Sequence, residues 1–157
     1  MPRKTPSDRF WAKIEKSEGC WEWRGYLNRW GYGNLLVSGK KIQAHRFAYE
    51  VQNGSIPEGM QIDHTCRNPA CVRGDHLRIA THKQNQENKT GPQVNSSTGI
   101  RGVYPVSKSP GRYRAMATHN GKQHCAGEFT SLSEAAEAVR LLRLSLFTYN
   151  EADRKTA

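Results

Sequence analysis

Between Cys66 and His76 the chain sets two cysteines and a histidine at C-x4-C-x4-H spacing, and this cluster narrows the possible folds more than any other feature. Thiolates and imidazole are zinc donors, and a closed structural zinc site takes four of them. The alternative is a group of free thiols packed in a small core. Hydrophobic residues are only 36% of the 157, thin for two independent cores. Small domains in that position are often stapled by a structural metal. The opening Met1-Pro2-Arg3-Lys4 leads into no apolar stretch, so no secretory signal is expected. The protein is therefore expected in a reducing cytoplasm, where cysteines serve as ligands or core thiols rather than disulfides.

The pattern along the chain suggests two modules of α+β character. Phe10, Trp11 and Ile14 recur at helical spacing and predict a short helix from Asp8 to Glu15. Strands are expected at Cys20–Trp23, Trp30–Val37 and Lys41–Ala44, the last two turning at Ser38-Gly39, to form one small antiparallel sheet. A helix from His45 to Val51, with Phe47, Ala48 and Val51 on its apolar stripe, should stop at Asn53-Gly54. Met60–His64 and His76–Ala80 read as strands, and Thr81 can cap a helix reaching about Lys89. Residues 90–98 lack any period and are rich in Gly, Pro, Ser and Asn, as a linker would be. Beyond them, strands are expected at Ile100–Val106, Arg112–His119 and Lys122–Phe129. Asn120-Gly121 is a strong hairpin signal between the last two. Ser131 to Glu134 forms a capping box opening a helix with Ala135, Ala136, Val139, Leu142 and Leu146 on one stripe. Residues 151–157 are expected to form a flexible tail.

Charge points to the partner. The chain holds 24 Lys+Arg against 14 Asp+Glu, a formal net charge of +10. Residues 1–90 contribute +6 and residues 91–157 contribute +4, so both modules are basic. Each phosphate neutralised by such a surface releases counterions and gains affinity. No basic amphipathic helix or apolar span points to a membrane instead.

Asp63-His64, delivered by a strand, and Asn85, delivered by the following helix, make a chemically suggestive set. Phosphodiester hydrolysis needs a base for water and a cation at the scissile phosphate. A neutral imidazole serves the first need, and a hard ion such as Mg²⁺ accepts oxygens from Asp63 and Asn85 for the second. The segment from Asp63 to Asn85 resembles the HNH (ββα-metal) endonucleases and also the His-Cys box homing endonucleases. Cys20-Trp21-Glu22-Trp23, Gly31-Tyr32-Gly33 and Ala44-His45-Arg46 are likewise similar to phage HNH proteins. The resemblance implies that His64 is the general base and that Asp63 and Asn85 hold Mg²⁺ (or Mn²⁺). It also implies that His76, standing where the middle Asn of the motif would be, is a Zn²⁺ ligand with Cys66 and Cys71, and Cys20 the fourth. Arg46 is a candidate for reaching a phosphate, and His82, one turn before Asn85, for a phosphate contact. The tryptophans at 21, 23 and 30 are expected in sheet cores.

Downstream, Gly99-Ile100-Arg101-Gly102-Val103, Arg112-Tyr113-Arg114-Ala115, Ala126-Gly127-Glu128-Phe129 and Glu134-Ala135-Ala136 resemble an AP2 domain. That implies a three-stranded antiparallel sheet on one helix, with the sheet entering a major groove. By strand alternation Tyr113, Ala115 and Ala117 face the helix, while Arg112, Arg114, Met116 and Thr118 face outward. Arg101 matches the family's first base-contacting Arg. Lys108 and Lys122 complete the basic set, whereas Tyr104 and Gln123 depart from the family pattern. Cys125 reads as a packed thiol.

The expected organisation is an HNH nuclease domain at 1–89, a linker at 90–98, an AP2-like domain at 99–150 and a tail. The expected function is hydrolysis of double-stranded DNA, by a monomer or homodimer, in the manner of a phage homing endonuclease. A non-catalytic, zinc-containing DNA-binding regulator is the rival from another class.

Overall fold

The computed structural model describes residues 4–89, 91, 92 and 94–154. Met1-Pro2-Arg3, Thr90 and Gln93 of the expected linker, and residues 155–157 of the expected tail lie outside the described residues. The chain forms two compact units, Met1–Asn85 and Gln86–Ala157. No helix among the described residues is long and apolar enough to cross a membrane.

The first unit is built from short elements around an aromatic core. Helix α1 (Pro6–Trp11) begins with a capping box between Thr5 and Asp8 and a proline in its first turn. It ends three residues before Ile14, which opens strand β1 (Ile14–Lys16) instead of continuing the predicted helix. β1 pairs antiparallel with β2 (Trp21–Trp23), so the expected single sheet is two hairpins. The second joins β3 (Asn34–Val37) to β4 (Lys40–Gln43) through Ser38-Gly39, both at positive φ. Phe10, Trp23, Leu35, Ala44, Ala48, Ile62, Val72 and Leu77 make the core. The Trp23 indole is clamped by backbone. A Cβ on Gly33 would lie 2.5 Å from its ring and one on Gly25 2.6 Å, so bare glycine is required at both.

Helix α2 (Ala44–Asn53) stops at Gly54, whose φ of 96° suits glycine. Its buried stripe is Ala44, His45 and Ala48, and Val51, expected on the apolar face, is exposed. β5 (Gln61–His64) and β6 (Leu77–Ala80) pair in the register Asp63↔Arg78 and His64↔Leu77. A single 3-10 turn, Gly74–His76, precedes β6, and α3 (His82–Glu87) follows it. Thr81 caps α3 as expected, its hydroxyl accepting from the Gln84 amide at 3.2 Å.

In the second unit β7 (Val103–Pro105), β8 (Tyr113–His119) and β9 (Lys122–Phe129) form an antiparallel sheet in the order β7-β8-β9. The turn has Asn120 at φ 51° and Gly121 at φ 73°, the pair of left-handed residues that a two-residue hairpin needs. Helix α4 (Leu132–Leu146), capped by Ser131, contributes Ala135 and Val139 to a core shared with Val103 and Ala115. Ala115 and Ala117 are buried and Arg114 and Thr118 exposed, as alternation requires.

A β-bulge between Ala115 and Met116 sets Gly127 and Cys125 opposite them and leaves Ala126 as the extra residue. The bulge reverses the face of every β9 residue before it. Cys125 is consequently exposed, not packed as the sequence suggests. The tail also differs from expectation. α5 (Glu151–Arg154) carries Asp153 into a buried two-point ion pair with Arg143, at 2.8 and 2.6 Å.

The division between units falls after Asn85, upstream of the segment 90–98. Glu87 and Asn88 are buried and bonded within the second unit: Glu87 accepts from the Thr148 amide at 3.3 Å and meets His119 at 3.1 Å, and Asn88 accepts from the Glu151 amide at 3.2 Å.

Candidate functional site

Two adjoining groups of side chains are assembled by the loop that connects β5 to β6. After His64 the chain turns sharply through Arg67, at φ 61°, with the Arg67 amide donating to the His64 carbonyl at 3.1 Å. It then runs alongside β2: the Trp23 amide donates to Ala70 at 2.9 Å and the Val72 amide to Trp21 at 2.8 Å. This pairing sets Cys71 next to β2, just after Cys20. Arg73 secures the other side, donating to the Gly19 carbonyl at 2.7 Å and also to that of Glu18.

The result is a cluster of Cys20, Cys66, Cys71 and His76 whose donor atoms all lie within 4.8 Å of one another. His76 Nδ1 is 3.7 Å from Cys20 Sγ and 3.6 Å from Cys71 Sγ. A tetrahedral ion with metal–sulfur bonds of about 2.3 Å and metal–nitrogen bonds of about 2.0–2.1 Å separates such donors by roughly 3.6 Å. The cluster has the dimensions and the donors of a metal site. Its thiols influence one another: hydrogen bonding with Cys71 draws Cys66 down, and the same contact, with burial, pushes Cys71 up.

The second group is built on and around β5, and its His64 touches the same loop. His64 is buried, and its Nε2 lies 3.1 Å from the Cys71 carbonyl. A carbonyl only accepts, so Nε2 carries the hydrogen and Nδ1 keeps a lone pair. Burial pulls the His64 pKa below its ordinary value, although the Cys71 carbonyl and the neighbouring Cys66 and Asp63 oppose that shift. The imidazole is accordingly neutral at pH 7.

Asp63, equally buried, receives two hydrogen bonds from Arg78 on the facing strand, at 3.0 and 2.7 Å. Asn85 donates through Nδ2 to Gln61 Oε1 at 2.6 Å, which leaves its Oδ1 as an unused acceptor among the described residues. Gln61 and Asp63 are two residues apart on β5 and share a face, so Asn85 is tied to the Asp63 side of the strand. Gln61 also meets His82 Nδ1, at 3.2 Å. Arg46 is half-buried on α2 and donates to the Met60 carbonyl at 3.5 Å, next to the start of β5.

Several neighbours escaped the sequence reasoning. The His45 ring lies 4.9 Å from that of His64, and the Tyr32 ring lies 5.4 Å from His45 and 6.0 Å from His64. Burial, and then the proximity of His64 and Arg46, hold His45 down to about 3. Its Nδ1 is buried without a partner among the described residues. Arg78 and Gln61 were missed as well. The only available signal was alternation on two short strands of unknown register.

The basic residues of the second unit divide. Arg112, Arg114, Lys108 and Lys122 are exposed. Arg114 donates to Glu128 at 3.0 Å and Arg112 lies 3.8 Å from it, both as solvent-facing ion pairs. Arg101 does not join them. Its guanidinium donates to the carbonyls of Gln86 at 3.2 Å, Glu87 at 3.1 Å and Lys89, and packs 5.7 Å from the Phe147 ring. The carbonyls at the end of a helix lack internal partners, and a cation satisfies them. Arg101 thus serves as an internal cap on the carbonyls at the end of α3 and just beyond it.

Comparison with known proteins bears most directly on the segment that holds these residues. Residues 43–87 match a family model described as HNH endonuclease, a span containing Asp63, His64 and Asn85. The chain is 43% identical over 70 residues to Protein 7.7 of Escherichia phage T7, covering 45% of this chain and 54% of that protein. It thus spans about half the length of that relative. Protein 3.8 of the same phage is 39% identical over 85 residues, covering 54% of this chain and 69% of its own. An Acanthamoeba polyphaga mimivirus protein, named as an uncharacterized HNH endonuclease, is 31% identical over 127 residues, covering 80% of this chain and 64% of its own. No solved structure matches the chain. By the matched model, residues 43–87 carry an HNH endonuclease domain, and the chain that holds it is similar to phage and viral proteins.

Proposed function

We propose that the protein is a metal-dependent DNA endonuclease in which His64 activates the attacking water. The observation that carries this reading is the bond from His64 Nε2 to the Cys71 carbonyl, which leaves Nδ1 as a base in a buried, neutral ring. Asp63 and the free Oδ1 of Asn85 would hold Mg²⁺ (or Mn²⁺), oxygen donors being what such hard ions take. When bound, that ion stabilises charge on the scissile phosphate and the departing oxygen. Arg78 orients the Asp63 carboxylate, and Gln61 orients the Asn85 amide. Nδ1 of His64 takes the water proton as the water oxygen bonds to phosphorus and the bond to the 3′ oxygen breaks, and the departing 3′ oxygen takes a proton from solvent water. The products are 5′-phosphate and 3′-hydroxyl ends.

Cys20, Cys66, Cys71 and His76 would hold Zn²⁺ and take no part in the chemistry. Their role is to fix the loop whose Cys71 carbonyl sets the tautomer of the base. The sheet of the second unit fits an AP2-like reading, with exposed Arg112, Arg114 and Lys122 available to a duplex and Lys108 nearby. The ion pairs of Arg112 and Arg114 with Glu128 are solvent-exposed and of little worth, so phosphates can replace them.

Plasmid cleavage by the zinc-loaded protein, with and without added Mg²⁺, tests the mechanism. His64→Ala should lower the rate by about 10²–10⁴-fold while leaving the fold intact, as expected for loss of a general base. Cleavage by that variant at the wild-type rate would overturn the assignment.

A further inference from the structure

The loop from Tyr26 to Asn34 plays no part in the chemistry above, yet it is held rigid and presents aromatic rings to solvent. Its ends are closed by the Leu27↔Gly33 bridge and by the Asn34 amide donating to the Tyr26 carbonyl at 3.0 Å. Inside, Asn28 organises the turn: its Oδ1 accepts from the amides of Trp30 at 2.9 Å and Tyr32 at 3.0 Å. Its own amide donates to the Tyr32 carbonyl, and its carbonyl accepts from Gly31, the residue at φ 82° that lets the chain reverse. The geometry is fixed before any partner arrives, which lowers the entropic cost of binding.

On this scaffold Trp30 is 63% exposed and Tyr26 66% exposed, although large aromatics normally bury their faces. Each carries a cation: the Arg29 guanidinium lies 4.1 Å from the Trp30 ring centre, and Lys41 Nζ lies 5.1 Å from that of Tyr26. Residues 24–43 hold four cations, Arg24, Arg29, Lys40 and Lys41, and no carboxylate. Arg24 is paired with Glu15 at 2.7 Å and with Glu22 at 3.0 Å, which leaves Arg29, Lys40 and Lys41 as the cations beside the aromatic faces, a combination that suits the base and phosphate of a nucleic-acid strand.

The loop also leads directly to the base. Tyr32, two residues beyond Trp30, places its ring against His45 and His64. Gly31 packs on Pro69 of the Cys66–Cys71 loop, where a Cβ would come within 3.0 Å of the proline ring.

We propose that this loop is a DNA-docking element in which Trp30 stacks on a nucleobase beside the phosphodiester presented to His64. The proposal rests on the nuclease reading for the position of the DNA, but not for the stacking itself. Arg29 braces the indole and meets a flanking phosphate, and Tyr32 links the docked strand to the base.

Intrinsic tryptophan fluorescence tests this in the full, zinc-loaded chain, titrated with a single-stranded oligonucleotide and its duplex without added Mg²⁺. DNA should quench the emission of the wild type. Trp30→Ala should remove most of that quench and weaken binding by about 5- to 150-fold, the range for losing one stacked base. Trp30→Phe should recover most of the affinity. In plasmid cleavage with Mg²⁺, Trp30→Ala should raise KM and leave kcat near wild type. Wild-type affinity or an unchanged KM in Trp30→Ala would overturn the docking role while leaving the nuclease reading in place. Conversely, a Trp30-dependent quench in a protein that never cuts would sink the nuclease reading and keep the docking loop.

Discussion

His45 shows how a single side chain can be costly and retained. Burial holds it neutral down to about pH 3, and its Nδ1 finds no partner among the described residues. In the unfolded chain the same group takes up a proton near pH 6.5. Below that value the unfolded state binds more protons than the folded one, so stability falls with pH between about 6.5 and 3 and is unaffected above. The slope from this residue is about 1.4 kcal/mol per pH unit. His45→Phe should therefore gain on the wild type by that amount per unit as pH drops, measured against their difference at pH 7.5 by denaturant unfolding. A constant difference would mean that His45 is not neutral when folded. A buried imidazole beside a proposed base suggests a positioning role that a plain apolar ring would fill only sterically. Nothing in the sequence pattern separated His45 from a helix-surface histidine, because the helix buries a stripe one position away from the one that Phe47 and Val51 suggested.

At the scale of elements, the loop from Thr65 to His76 has almost no regular structure and yet organises the first unit. It supplies three of the four clustered donors and the carbonyl that fixes His64. In so small a unit, metal binding is largely folding free energy. Stripping the metal with a chelator should abolish one cooperative thermal transition, seen by calorimetry, and silence cleavage even with Mg²⁺ restored. The other transition should survive, since α4 and α5 rely on the Arg143–Asp153 pair and a separate apolar core. A chelated protein that melts as before would show that the four donors hold nothing of structural importance. The spacing of Cys66, Cys71 and His76 was visible in sequence, while Cys20 came only through the family resemblance. β1 was missed because Ile14 continues the helical period of Phe10 and Trp11. Only its pairing with Trp23 makes it a strand.

For the whole molecule, a net charge of +10 spread over both units makes salt dependence the natural probe of DNA contact. Arg112 and Arg114 face solvent, so replacing both with Ala should lower the slope of log affinity against log salt by about two units if each meets a phosphate. Arg101→Ala should behave differently. Its guanidinium is spent on the carbonyls of Gln86, Glu87 and Lys89, so the loss should fall on stability and leave the slope unchanged. A slope change for Arg101→Ala equal to that of the exposed pair would restore it to the DNA-facing set.

What the sequence determined by itself are the features written in local spacing. They include the Asp63-His64 pair with Asn85, the cysteine and histidine intervals, the Asn120-Gly121 turn, the Ser131 cap and the basic balance. The turn, the cap and the cysteine and histidine intervals depend on residues at most about ten positions apart, Asn85 is set by the strand and helix pattern that follows His64, and the basic balance is a sum over the chain. Tertiary structure decided what depends on register and burial. A single bulged residue turned Cys125 outward, strand pairing gave Asp63 its Arg78, and helix packing buried His45. Contacts between helix-end carbonyls and a distant guanidinium turned Arg101 inward, and a rigid Asn28 turn left Trp30 exposed. Those outcomes follow from the competition between burying a group and satisfying it, which is settled only when remote segments come together.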